Sequence, residues 1–455
     1  MAALFLSALL LTTPPAVEAN ASSTAAEGSR WGAAIQIGFG RAGAMTVGVI
    51  QPRLSFHAEG LELTLGPPIW LRLDAIEGAL WEGRDPQRIW LTDWQSPAAY
   101  AAFVQRLSLH LFDDALQLDV GPLRQERLGR GILVDDLQSS FDPLRPRPGA
   151  RIALRAGPVA VRAMVDGVVD PTVIAASFDL APLVLLGLDG PQRFHLTLEA
   201  AVDPEAPLTA AGAAAAAAAD PASPRRGAVA AADVALSYLL WRDNRVALEL
   251  YAAAALLSHP ALGGHAGLRV EVWRPGSNPA VADQGGDPGA TEEAAVVAAI
   301  EGVAAGEGYT PGYFDIAYGD ERLRTVGRDD QPKAALRPAA GFGLRGRLEF
   351  RLGGLHLGLA AQSAMDGHVS AHALLRLRAG PVALSALYVK RDLTGFRQLW
   401  QLDPGTTAVV EGAVALWQGL FAFVTLHHGR RQLADSGQGV ASDWLIGLGY
   451  AAEGT

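Results

Sequence analysis

Residues 61–74, LELTLGPPIWLRLD, alternate with a period of two. Leu61, Leu63, Leu65, Ile69, Leu71 and Leu73 share one parity; Glu62, Thr64, Trp70, Arg72 and Asp74 share the other. A helical period would scatter the two sets, whereas an extended strand separates them onto opposite faces. The pattern recurs at 107–111, 116–120, 151–156, 159–166, 194–199, 246–252, 268–273, 347–352, 355–359, 371–378 and 444–450. Asp113-Asp114, Gly157-Pro158, Asp243-Asn244, Gly353-Gly354 and Gly380-Pro381 are tight connectors between such runs, which makes consecutive strands antiparallel neighbours. The count comes to about 16–18 strands, with Ala-rich stretches blurring the alternation elsewhere.

Composition narrows the architecture. The chain has 455 residues, 50% of them hydrophobic, and a mean hydropathy of +0.18. It has no run of the roughly 18 apolar residues that a spanning helix needs. Two architectures take many alternating strands: a soluble β protein with its apolar face in a core, and a membrane barrel with that face toward lipid. Strand runs of about 9–11 residues fit a tilted span, and both 61–74 and 344–352 reach that length. Charges of both signs recur on the polar parity. Trp31, Trp241, Trp400, Trp417, Trp444 and Tyr450 sit at strand ends, where interfacial aromatics belong, while Trp70 and Trp273 have lumen parity. Short and long connections alternate. The reading is all-β: one antiparallel transmembrane β-barrel over 31–450, with short helices in its loops. No Cys is present, which excludes disulfides, thiolate metal sites and a Cys-linked lipid anchor. A net charge of −10 argues against a nucleic-acid partner.

The ends and connections add detail. Residues 2–11, AALFLSALLL, followed by Pro14-Pro15 and Ala19-Asn20-Ala21, read as a cleaved export signal over 1–21, although no Lys or Arg precedes the apolar core. Residues 22–30 are a polar lead-in. Ser96-Pro97 opens a short helix. Residues 204–227 read as an Ala/Pro-rich loop, and 275–312 as a second long loop with a short helix in TEEAAVVAAIEGVAA.

The signal, the hairpin alternation and the terminal Trp444-Leu-Ile-Gly-Leu-Gly-Tyr450 together resemble a Gram-negative outer-membrane β-barrel of the porin-like class. DWQSPAAYAAFVQRL (93–107), LDVGPLRQERLGRGILVDDL (118–137), AAVDPEAP (200–207) and YTPGYFDIAYGDERLR (309–324) are similar to landmarks of large barrels of that class. The resemblance implies an outer-membrane location, lipid and the barrel-assembly machinery as partners, and passive diffusion of small polar or charged solutes. The alternative is a plugged barrel that binds surface polysaccharide in envelope assembly. Such barrels usually end on an aromatic residue, whereas here AAEGT follows Tyr450.

Few residues suggest catalysis, and no enzyme, cofactor or metal site is expected. Gly38-Phe39-Gly40-Arg41-Ala42-Gly43 has the GxGxxG spacing, but a strand rather than a helix follows it, which points to a hairpin. His427-His428 point to opposite faces of a strand and read as a solvated strand end. His195, His356 and His372 have lumen parity. The strongest constellation is charge: Arg124, Arg127, Arg130, Arg145 and Arg147 precede Arg151, Arg155, Arg162 and Asp166. Arg269, Glu271, Arg347, Glu349, Arg351, Arg376 and Arg378 follow. These residues either line a water-filled pore and set its charge preference, or close it through salt-bridge ladders.

Overall fold

In a computed structural model, the structure describes residues 29–42, 45–74, 97–139, 147–188, 193–208, 226–243, 245–258, 261–273, 295–316, 318, 322, 332–363, 367–433 and 437–454. The signal at 1–21, most of the lead-in, Gly43 and the loop residues 209–225 lie outside them.

The strands run in chain order. The first nine are β1 (Arg30–Ala42), β2 (Met45–Ala58), β3 in two pieces (Leu61–Leu65 and Ile69–Arg72), β4 (Val104–Leu111), β5 (Leu116–Pro122), β6 (Pro148–Ala156), β7 (Val159–Val165), β8 (Ile174–Leu180) and β9 (Phe194–Pro207). Then come β10 (Arg226–Arg242), β11 (Val246–Leu257), β12 (Ala261–Trp273), β13 (Ala295–Ala305), β14 (Gly341–Leu352), β15 (Leu355–Ser363) and β16 (Val369–Ala379). The last four are β17 (Val382–Leu393), β18 (Thr406–Trp417), β19 (Leu420–Leu433) and β20 (Gly437–Gly454). Pro67 and Pro68 offer no amide donors, so the ladder breaks between the two pieces of β3, both of which pair with β2.

Each strand pairs antiparallel with the next, and β20 pairs back onto β1 from Trp31↔Gly454 to Arg41↔Trp444. The sheet is therefore a closed 20-strand barrel without edges. Residues 451–454 after Tyr450 are part of this closing strand, not a tail.

The barrel's polarity is inverted relative to a soluble core. Ile35, Ile37 and Phe39 on β1, and Ile446, Leu448 and Tyr450 on β20, are exposed on the outside. Gln36, Glu199, Asp233, His265, Glu301 and Glu349 are buried inside. An apolar outer wall around a polar interior is the arrangement a bilayer selects. Trp31, Trp241, Trp417 and Tyr450 ring one end, with Trp444 and Trp400 at the other; all are outward. Trp273 is buried inside beneath Arg242, and Trp70 packs on the inner cluster around Phe421 and Phe423.

All five connectors named from the sequence fall at one end of the barrel. At Asp243 the carboxylate accepts the amides of Arg245 and Val246 at 2.7 and 2.8 Å. Gly353, with φ of +52°, meets nothing within 4 Å, so the turn needs it for conformation rather than space. That end also carries α2 (Pro182–Leu185), and β12 and β13 join there. The expected helix α1 forms at Pro97–Ala101.

Two expectations change. The barrel has more strands than the sequence count, and 275–312 is not one loop. Ala295–Ala305, read as a helix, is strand β13, paired with β12 and β14 over its whole length. Its Ala-rich sequence carries no period because, Glu301 apart, both of its faces are apolar.

Candidate functional site

The site is the barrel interior, and two connections fold into it. Residues 123–139, between β5 and β6, reach strands that lie far apart around the wall. Arg151 on β6 meets Glu126 at 3.4 Å, and Glu199 on β9 accepts the Val134 amide at 2.9 Å. Arg130 donates to Ser237 on β10 at 2.7 Å and to Glu249 on β11 at 2.8 Å. Arg376 on β16 donates to Gln125 at 3.1 Å, and Arg124 meets Glu411 on β18 at 2.8 Å. One short segment touches all these walls only by crossing the interior.

Residues 306–316 and Tyr318, between β13 and β14, join it there. Phe314–Asp315 pairs in parallel with Val134–Asp135, and the Gly312 amide donates to Ile132 O at 3.0 Å. Tyr313, Phe314 and Tyr318 stack edge-on or tilted, with centroids 4.8 to 5.6 Å apart. These rings and Leu128, Ile132 and Leu133 pack against Ala201, Ala231, Ala235, Ala255 and Ala305 of the wall. Alanine on that inner face leaves the volume that the aromatic segment fills.

Charged anchors hold both segments. Tyr309 shares a hydrogen bond with His265 Nε2 at 2.6 Å, and His265 Nδ1 meets Glu301 at 2.8 Å. Tyr318 and Arg322 both donate to the buried Asp203, at 2.7 and 2.5 Å. Asp135 takes Arg127 at 2.7 Å and also pairs with Arg345, while Asp136 takes Arg347 and His372. Burial would push the Asp135 carboxyl up, but Arg127 and Arg345 overcome it and hold it below the usual carboxylate range. Burial and the adjacent Asp135 push Asp136 up. Burial also pushes the Glu126 carboxyl up, against the pull of Arg151.

Nearly every residue singled out in the sequence faces the interior. Arg151 meets Asp119 at 2.9 Å. Arg155 lies on the inner face of β6, close to Arg162 on β7. Arg269 pairs with Glu271, Arg347 with Glu349 at 2.5 Å, and Arg351 with Glu349 at 3.1 Å. Two are exceptions. The Asp166 carboxylate accepts the Thr172 and Val173 amides at 2.7 and 2.8 Å, which spends it on the turn between β7 and β8, and Arg147 donates to Asp170 of the same turn. Arg145 is outside the described residues. His195 and His372 meet Asp179 and Asp136 inside, and His356 lies 3.8 Å from Glu349. His427 corrects the solvated-end reading: it is buried inside, 3.8 Å from Asp443, whereas His428 pairs with Ser442 on the outer face. Gly38 to Ala42 form the end of β1, and β2 follows directly, as a hairpin requires.

Sequence reasoning passed over Asp135, Asp136, Asp203, Glu301 and Arg345. Asp135, Asp136 and Asp203 lie in the landmark segments 118–137 and 200–207, which is the one signal that pointed to them. In the interior pairs the guanidinium is the more exposed partner: 37% for Arg351 against 10% for Glu349, 31% for Arg269 against 13% for Glu271, and 29% for Arg127 against 7% for Asp135. In these three pairs the cation is therefore the partner nearer to solvent, although the whole chain is acidic.

A closed sheet with an apolar exterior, aromatic ends and a charged interior defines an outer-membrane-type β-barrel. No protein-family model and no curated protein matches the chain. Solved structures similar to it include OpdK of Pseudomonas aeruginosa with vanillate: 9% identity, 94% of this chain and 99% of that one, TM-score 0.33. Others are OccAB4 of Acinetobacter baumannii (9%, 95% and 99%, 0.31) and the outer membrane protein OprD of P. aeruginosa (10%, 93% and 94%, 0.31).

Proposed function

We propose that the protein is a passive channel of the Gram-negative outer membrane for small polar or charged solutes, with a preference for anions. The observation that carries this reading is the interior pairing in which arginine, not its acidic partner, faces solvent. Guanidinium groups stay ionised and bind carboxylate or phosphate with two parallel hydrogen bonds. An anion entering the interior meets these cations while the paired carboxylates lie behind them. The inward segments 123–139 and 306–316 narrow the passage, so both size and charge filter the solute. Arg151, Arg155, Arg162, Arg269, Arg347, Arg351 and Arg376 line the passage on this reading, with Glu271 and Glu349 as backing charges. Lipid surrounds the wall, and the barrel-assembly machinery inserts the exported chain.

The test is single-channel recording of the refolded protein in planar bilayers under a potassium chloride gradient. Discrete conductance steps with a reversal potential on the chloride side are expected. Electrical silence at every voltage would sink the channel and favour a plugged barrel.

A further inference from the structure

Residues 394–405, between β17 and β18, do not enter the interior. On β17, Leu387 and Val389 face inward, where they pack on Ile316 of the inner segment. Alternation then puts Tyr388 and Lys390 on the outer, lipid-side face. A lysine there is costly in hydrocarbon, yet the Lys390 side chain is only 1% exposed. The connection covers it. Lys390 Nζ donates to Gln401 O at 2.8 Å, Asp403 Oδ2 at 2.6 Å and Thr406 Oγ1 at 2.9 Å, which satisfies all three ammonium donors. Tyr388 donates to Leu399 O at 2.5 Å, and the 3-10 turn Phe396–Trp400 packs on β17.

The segment is thus folded over the outside of the wall, and its own outer surface sets exposed aromatic rings beside the polar Thr394, Arg397 and Gln401. Phe396 is 75% exposed and Trp400 72%, with Leu402 beside them. The two rings meet edge-on, with centroids 6.4 Å apart. Arg397 lies exposed between them. Trp444 and Phe39, which pack edge-on at 6.1 Å on the outer wall, mark the same end of the barrel. The surface therefore continues the aromatic girdle rather than starting a separate patch. Amphipathic rings with an adjacent cation suit the boundary between headgroups and acyl chains.

We propose that residues 394–405 form a strap, stapled to the outer wall by Lys390, that docks into the interfacial layer of the leaflet at that end of the barrel, with the bilayer as its occupant. This rests on the barrel spanning a membrane and is independent of what the interior conducts.

The absence of Cys allows single-site spin labels. Labels at Phe396→Cys, at Ile37→Cys on the outer wall and at Glu59→Cys in a tight turn are compared in phosphatidylcholine vesicles. Accessibility is read with oxygen, which partitions into lipid, and with a water-soluble nickel complex. The Phe396 label is expected to share the oxygen-favoured signature of Ile37, and Lys390→Met is expected to shift it toward the nickel-favoured signature of Glu59. Asp403→Asn takes the place of Lys390→Met if that variant fails to refold. A nickel-favoured Phe396 label beside an oxygen-favoured Ile37 label overturns the strap and leaves the barrel intact. A nickel-favoured Ile37 label overturns the barrel itself. Low access to both reagents with spin–spin broadening at 396 identifies a second copy as the occupant, and an unchanged signature after loss of the staple removes Lys390's role; either result also overturns the proposal.

Discussion

Arg347 grips Asp136 with both terminal nitrogens, at 2.6 and 3.0 Å, and this fork ties the inward segment 123–139 to β14. Asp136 is almost fully buried, and its other partner is His372. Removing one member of such a pair leaves a buried charge uncompensated, which costs about 3–5 kcal/mol. Arg347→Ala should therefore loosen the segment around Asp136, its other anchors staying in place, while the wall still closes. Limited proteolysis should then cut within 123–139 in the folded barrel, and channel conductance should rise. Wild-type protection in the variant would show that the fork does not hold the segment.

Arg351 tests the charge filter. It is more exposed than Glu349, its partner at 3.1 Å, so Arg351→Gln removes a cation from the solvent-facing surface and uncovers an acid. The reversal potential in a salt gradient should move toward cation preference, with little loss of stability, since Glu349 keeps Arg347 at 2.5 Å. An unaltered reversal potential would place the filter elsewhere.

Leu448 tests which side of the wall meets lipid. It lies outward, opposite Ile37 across the closing seam. Arginine near the midplane of a barrel's lipid face costs roughly 2–4 kcal/mol. Leu448→Arg should lower the denaturant midpoint of refolding into vesicles by a matching amount. A neutral result would mean that this face is wet.

Asp403 gives a pH dependence with a definite sign. Burial opposes ionisation of its carboxyl, but the hydrogen bond from Lys390 and the Gly405 amide hold it below the usual carboxylate value of 3.8. A depressed folded-state value stabilises the docked connection above 3.8 and loses that contribution as pH falls through the lower folded value. The label at position 396 should keep its signature from neutral pH down to about 4 and become mobile only in stronger acid. Release near neutral pH would contradict the Lys390–Asp403 staple.

The wall was legible in 61–74 and 347–352 because lipid and water sit on its two sides, and each residue must suit one of them. Where the interior is filled by protein, that signal fails. β13 has Val303 and Ala305 buried against the aromatic segment and Val296 and Ile300 toward the outside, so its faces are too alike to show a period. β10, with Ala231 and Ala235 inside, blurs for the same reason. The strand arginines were legible as interior residues by parity, and so were Glu271 and Glu349 beside them, but the partners that meet across the interior were not. Arg124 and Glu411 are 287 residues apart, and no spacing rule joins them.

By itself, then, the sequence determined the strand alternation, the absence of spanning helices and the facing of most charged residues, because each is a local choice between two solvents. Only the tertiary structure decided that the ring closes through Trp31 and Gly454, that 123–139 and 306–316 fold inward, and that 394–405 folds outward over Lys390. Each of these depends on pairing groups distant in the chain, and the energy that selects them exists only once the wall has brought them together.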